Sequence, residues 1–187
     1  MIKHSQKLNV FILVIGLQFL FSSTVALGDK SPAQENTSMK LDSPVFHNNG
    51  FIPPQFTADG KDESPPLTWK NVPENTQSLA LICDDPDAPS GLWVHWILYN
   101  IPPTLDHIDE GGQNLTSDIL FGKNSWGKLA YTGPNPPNEA HHYHFTLYAL
   151  DTVLTLKAGA TKDQLTKAIK GHINEEVTLT GLYERKS

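Results

Sequence analysis

The sequence is short of the means to cross-link itself. Cys83 is the only cysteine in 187 residues, so no internal disulfide can form and stability has to come from packing. It lies inside the apolar run SLALIC, which makes it a small buried hydrophobe rather than a nucleophile. Basic charge is scarce as well. The chain has 14 Lys and Arg against 20 Asp and Glu, a formal net charge of -6. That balance argues against nucleic acid or an anionic membrane surface as a bulk partner. No G-x-S-x-G elbow, H-E-x-x-H helix or P-loop occurs, and no serine stands in a recognisable nucleophile context, so the sequence does not support an enzyme. Internal repeats and low-complexity tracts are also missing, which leaves an ordinary single domain.

Charge, hydropathy and side-chain size change in a fixed order at the start of the chain. Lys3 and Lys7 precede an apolar run over residues 10–21, interrupted only by Gly16 and Gln18, and small residues follow over 22–28. That is the order of a secretory signal peptide, with cleavage near 26–28, after Ala26 or Gly28. The run is shorter than the ~20 residues that span a bilayer, so an uncleaved anchor is the weaker reading and no stable span remains after cleavage. No cysteine stands directly after the run, over 22–28, which excludes attachment as a bacterial lipoprotein. Residues 1–28 are therefore expected to be export machinery, 29–40 a polar flexible leader and 41–187 the domain. The expected location is the periplasm or the secreted medium.

The 14 prolines and 13 glycines gather in loops between short apolar runs, a pattern of mainly β architecture. Strands are expected over 78–83, 93–101 and 142–150, with apolar or aromatic residues on both faces of the last two. Thr161 and Gln164 form a capping box, and Leu165, Ala168, Ile169 and His172 recur at helical spacing. The helix is expected to run on through Asn174 and Glu175 despite Gly171, and a final strand is expected over 178–184. Residues 104–128 show little pattern and read as a long loop over the sandwich.

Ionisable residues concentrate at strand ends. Asp85 and Asp87 flank Pro86 in DDPDAP over 84–89, a loop stiffened by two prolines, where the bland reading is a solvated turn. His95 lies within WVHWILYNI; strict alternation puts it on the face of Ile97, Tyr99 and Ile101. Its functional reading needs the Asp85 loop beside it, so that a carboxylate orients the imidazole and raises its pKa. His141 and Tyr143 share one strand face, His142 and His144 the other. A His-x-His pair is metal-ligand spacing and needs a third and fourth ligand. Asp85 or Asp87 could serve if they come close, but Cys83 and the remaining histidines do not fall at a metal-site spacing, so neither metal nor cofactor is expected.

DDPDAP at 84–89, HW at 95–96, YTGPNPP at 131–137 and HHYHFTLYAL at 141–150, in that order, resemble the phosphatidylethanolamine-binding protein family. The closer likeness is to its bacterial YbhB/YbcL, or Raf-kinase-inhibitor-like, branch. The ending AIKGHINEE…LTGLYER fits as well. The resemblance implies a two-sheet antiparallel Greek-key-like sandwich with one or two C-terminal helices. It also implies a small pocket for phosphate, phosphoethanolamine or a lipid headgroup, made by Asp85, Asp87, His95, His141 and Tyr143, with Gly133 and Pro136 in its wall. A cis peptide in the first loop is implied at Ala88–Pro89. His142 stands where the family usually has an Arg, and residues 138–140 lack a usual Gly. The implied function is non-catalytic extracytoplasmic ligand binding. A protein-directed modulator resembling kinase or protease inhibitors is the alternative, and a metal-assisted hydrolase comes third. A homodimer stays open.

Overall fold

The computed structural model describes residues 37–137 and 139–185. The expected signal peptide and most of the leader lie outside them. Among the described residues nine strands and one α-helix follow in order: β1 (Lys40–Asp42), β2 (Gly50–Phe51), β3 (Leu67–Lys70), β4 (Ser78–Asp85), β5 (Trp93–Ile101), β6 (His107–Ile108), β7 (Leu120–Phe121), β8 (His141–Leu150), α1 (Lys162–Ile169) and β9 (Ile173–Tyr183). They form a six-stranded sheet, β2-β9-β8-β4-β5-β7, and a three-stranded sheet, β1-β3-β6. The fold is mainly β, two sheets and one helix. Its pairings are antiparallel except at one edge, where β2 runs parallel to β9.

All eight residues of β4 are buried, as they must be in a strand with a partner on each side and a layer on each face. Leu79, Leu81, Leu98, Phe145 and Leu147 point between the sheets and pack with Leu41, Leu67 and Trp69 of the smaller one. Ala80, Ile82, Ile97 and Tyr99 occupy the opposite face, where Leu165 and Ile169 of α1 cover them. The two apolar faces of β5 thus serve two separate cores.

Several expectations need correcting. The helix begins at the capping box, with Gln164 N–H donating to Thr161 Oγ1 at 3.3 Å and Thr161 N–H to Gln164 Oε1 at 2.9 Å. It ends at Ile169, because Gly171 turns the chain with φ +86°. Asn174 and Glu175 then belong to β9, which starts five residues earlier than expected. It pairs with β8 from Ile173–Leu150 to Tyr183–His141. The leader ends sooner too: Met39 is buried and its N–H donates to Glu175 Oε1 at 2.8 Å, directly before β1. Residues 104–128 hold β6, β7 and a 3-10 turn at Glu110–Gly112. Strands of two residues are too short to show a period. No cis peptide bond occurs among the described residues, so Ala88–Pro89 is trans.

Candidate functional site

The site forms where β4 ends, β5 begins and β8 begins. Antiparallel pairing sets Asp84 opposite His144, which brings Asp85 and the first residues of β8 to the same end of the sheet. Asp85 Oδ2 lies 2.7 Å from His141 Nδ1, and both side chains are buried. The other carboxylate oxygen, Oδ1, accepts the Asp87 N–H at 2.8 Å. One buried carboxylate therefore shapes the following loop and fixes the His141 ring.

His95 arrives by a break in the alternation. Cys83 faces Trp96 and Asp84 faces Val94, so His95 has no partner residue across the pair and forms a bulge. The bulge sets its ring edge-to-face against Tyr143 of β8, with centroids 5.1 Å apart. The expected shared face with Ile97, Tyr99 and Ile101 is therefore not observed. Ile97 and Tyr99 pack toward the helix, while a second irregularity at Leu79/Ala80 sends Ile101 to the core between the sheets.

The expected carboxylate partner of His95 is also replaced. Its Nδ1 lies 2.6 Å from the Thr132 carbonyl oxygen, so the ring donates there and Nε2 is left for a ligand. Burial pulls the imidazole below its ordinary pKa, and the Thr132 carbonyl and the Asp85 charge only partly offset this. The direction is opposite to the one expected, because burial outweighs the Asp85 charge.

Asp85, His95, His141, Tyr143 and Pro136 line one cavity of about 170 Å³. Tyr143 is 1% exposed and its hydroxyl makes no hydrogen bond among the described residues. Burial first, and the Asp85 charge second, push that hydroxyl far up, so it stays a neutral donor.

Two expected residues stand outside the cavity lining. Asp87 Oδ2 accepts the His142 N–H at 2.8 Å and lies 2.7 Å from His142 Nδ1. It ties the 84–89 loop to β8, and the His142 contacts lower its pKa. Gly133 donates its N–H to Asp62 Oδ1 at 2.6 Å, and a Cβ there would meet Thr57 Cα at 2.7 Å. It is glycine because another backbone passes against it. His142 is exposed on the far face of β8 and turned to Asp87, so it does not substitute in the cavity for an Arg. No group of three or more His, Cys, Asp or Glu among the described residues is arranged to hold a metal.

Sequence reasoning missed the rim. Trp93, Trp126, Ser90 and Asn135 also line the cavity, and among the described residues no Lys or Arg does. Trp126 lies in the stretch read as patternless loop. The available signal was Asn124-Ser125-Trp126-Gly127, a turn sequence carrying a large aromatic. Asn124 Oδ1 accepts the N–H groups of Trp126 at 3.0 Å and Lys128 at 2.9 Å. A larger groove of about 730 Å³ lies between residues 51–54 and 183–185. Its charged pair, Arg185 Nη2 and Asp59 Oδ1 at 2.9 Å, is already satisfied, so the unspent polar groups are in the smaller cavity.

A family model described as phosphatidylethanolamine-binding protein matches residues 42–184. A UPF0098 protein of Methanothermobacter thermautotrophicus is 47% identical over 150 residues, spanning 79% of this chain and 99% of that one. A UPF0098 protein of Chlamydia pneumoniae is 45% identical over 152 residues, with coverage of 79% and 99%. A phosphatidylethanolamine-binding protein homolog of known crystal structure from Chlamydia trachomatis superposes with a TM-score of 0.76 at 39% identity, covering 80% of this chain and 99% of that one. The crystal structure of Escherichia coli YbcL gives a TM-score of 0.75 at 27% identity, with coverage of 80% and 99%.

Proposed function

The chain belongs to the phosphatidylethanolamine-binding protein family, and from that premise we propose that it works by binding a small phosphate-bearing anion without transforming it, outside the cytoplasm. The observation that carries this reading is the buried Asp85–His141 pair beside His95 in one cavity of about 170 Å³. Each imidazole has its Nδ1 engaged, so each presents Nε2 to a ligand. A protonated Nε2 donates a charge-assisted hydrogen bond to a phosphate oxygen. The Tyr143 hydroxyl, kept neutral, adds a donor once the ligand draws it in. Phosphate, phosphoethanolamine or a lipid headgroup offers the acceptors this set requires.

Binding without chemistry is favoured because no nucleophile is prepared. Ser90 shares the cavity but makes no hydrogen bond to either imidazole, so nothing activates it. Export is supported by the order of charged, apolar and small residues over 1–28.

The test is a calorimetric titration of the purified protein with phosphate and phosphoethanolamine, beside His95→Gln and Asp85→Asn. Saturable binding that weakens in both variants is expected. No binding anywhere between about pH 5 and 8 would overturn the reading and turn the search to protein partners.

A further inference from the structure

The floor and the rim of the cavity differ in chemistry. The floor holds imidazoles and a carboxylate; the rim holds indoles. Trp93 and Trp126 stand edge to face, with centroids 5.3 Å apart and planes at 86°. Trp126 meets the His95 ring at 5.1 Å and 74°. It is nevertheless 41% exposed. This indole is not on a loose tip, because the buried Asn124 side chain holds the backbone on both sides of it. A fixed, half-open indole beside a polar cavity offers a π face to a cation.

Charge points the same way. The cavity contains the Asp85 carboxylate and, among the described residues, no Lys or Arg. Asp87 lies two residues further along the same loop. A bare phosphate brings negative charge that only imidazolium can offset, whereas a zwitterion carries its own counter-charge to the rim. The nature of that cation follows from what an indole face lacks. A primary ammonium has three N–H donors that need acceptors on leaving water. A quaternary ammonium has none, is weakly hydrated and loses little by resting on indole.

We infer that the ligand group this cavity prefers is phosphocholine, with the phosphate toward His95 and His141 and the trimethylammonium against Trp126 and Trp93. The inference deepens the phosphate-site reading above and rests on it. A choline contact with one indole corresponds to an affinity about threefold to thirtyfold above that for phosphate.

The purified protein is titrated at about pH 6 with phosphate, phosphoethanolamine and phosphocholine. Phosphocholine is expected to bind most tightly. The ratio of phosphocholine to phosphate affinity is expected to fall toward one in Trp126→Ala and to stay above one in Trp126→Phe. Trp93→Ala serves as the second variant if Trp126→Ala does not fold, and the wild-type ligand comparison needs no variant. Equal wild-type affinities for phosphocholine and phosphoethanolamine, or an unchanged ratio in the folded Trp126→Ala protein, overturn the inference and leave the phosphate site standing. Absence of phosphate binding overturns both. Co-sedimentation with phosphatidylcholine vesicles separates the sources: pelleting assigns the group to a lipid headgroup, and soluble binding without pelleting assigns it to a free ester.

Discussion

Asp85 Oδ2 sits 2.7 Å from His141 Nδ1, while the same carboxylate's Oδ1 takes the Asp87 N–H at 2.8 Å. One side chain thus couples a ring that lines the cavity to the loop that borders it. Asp85→Asn keeps the shape and loses one acceptor, since an amide nitrogen cannot receive the His141 proton. A buried hydrogen bond to a charged group contributes about 1.5–3 kcal/mol. Chemical denaturation should show a loss of that order, and phosphate affinity should fall about tenfold or more. A variant with native phosphate affinity would show that Asp85 does not position His141.

His95 sets a dependence on pH. Its folded-state pKa lies below the ordinary 6.5 because burial disfavours the charged ring. As pH falls through 6.5, the unfolded chain takes up this proton first, so the folded state loses stability. The loss grows until the lower folded-state pKa is passed and is constant below it. His95→Gln should flatten this part of the stability profile, read from denaturation midpoints across the window below pH 6.5.

Ligand binding has the opposite slope. Phosphate favours the protonated ring, so affinity should rise as pH falls and binding should take up protons. Calorimetry in two buffers of different ionisation enthalpy measures that uptake. A dissociation constant independent of pH between about 5 and 8 would contradict an imidazole-based anion site.

Much of this was legible in the sequence where composition decides the outcome. β4 and β5 are buried on both faces because they lie in the middle of the larger sheet, and the Thr161–Gln164 box marked the helix start. β8, expected to match them, instead alternates, with His142 exposed and His144, Thr146 and Tyr148 half-buried on one face. Asp85, His95, His141, Tyr143 and Pro136 meet in one cavity. Features that depend on a partner strand were not legible. The bulge that turns His95 exists only in the register of β5 against β4. β9 carries Asn174, Glu175 and Glu176 because part of its length is not deeply covered, so its polar start looked helical. Asp87 and Gly133 hold loops rather than line the cavity, a distinction that local sequence does not carry.

Gly133→Ala tests that distinction. An added Cβ would stand 2.7 Å from Thr57 Cα and 2.8 Å from the Phe56 carbonyl oxygen. Both are backbone atoms, so the 131–137 loop or its neighbour has to move. Overpacking of this kind costs about 1–3 kcal/mol, and the unfolding midpoint should drop accordingly. An unchanged midpoint would mean that the two backbones separate freely.

Cys83 should be silent until the protein opens. It lies in β4, between β5 and β8, and is 1% exposed. Burial first, then the charges of Asp84 and Asp85, raise its thiol well above the ordinary 9.0. The thiolate is the reactive form, so both access and ionisation protect this cysteine in the native state. A chromogenic disulfide reagent should therefore leave the native protein unlabelled over the time in which the denatured chain reacts fully. Because β4 is held on both sides, labelling requires opening of the central sheet rather than fraying of an edge. The opening free energy obtained from slow native labelling should then match that from denaturant titration. Rapid labelling with no loss of structure would show that the central strand is less tightly enclosed than its burial implies.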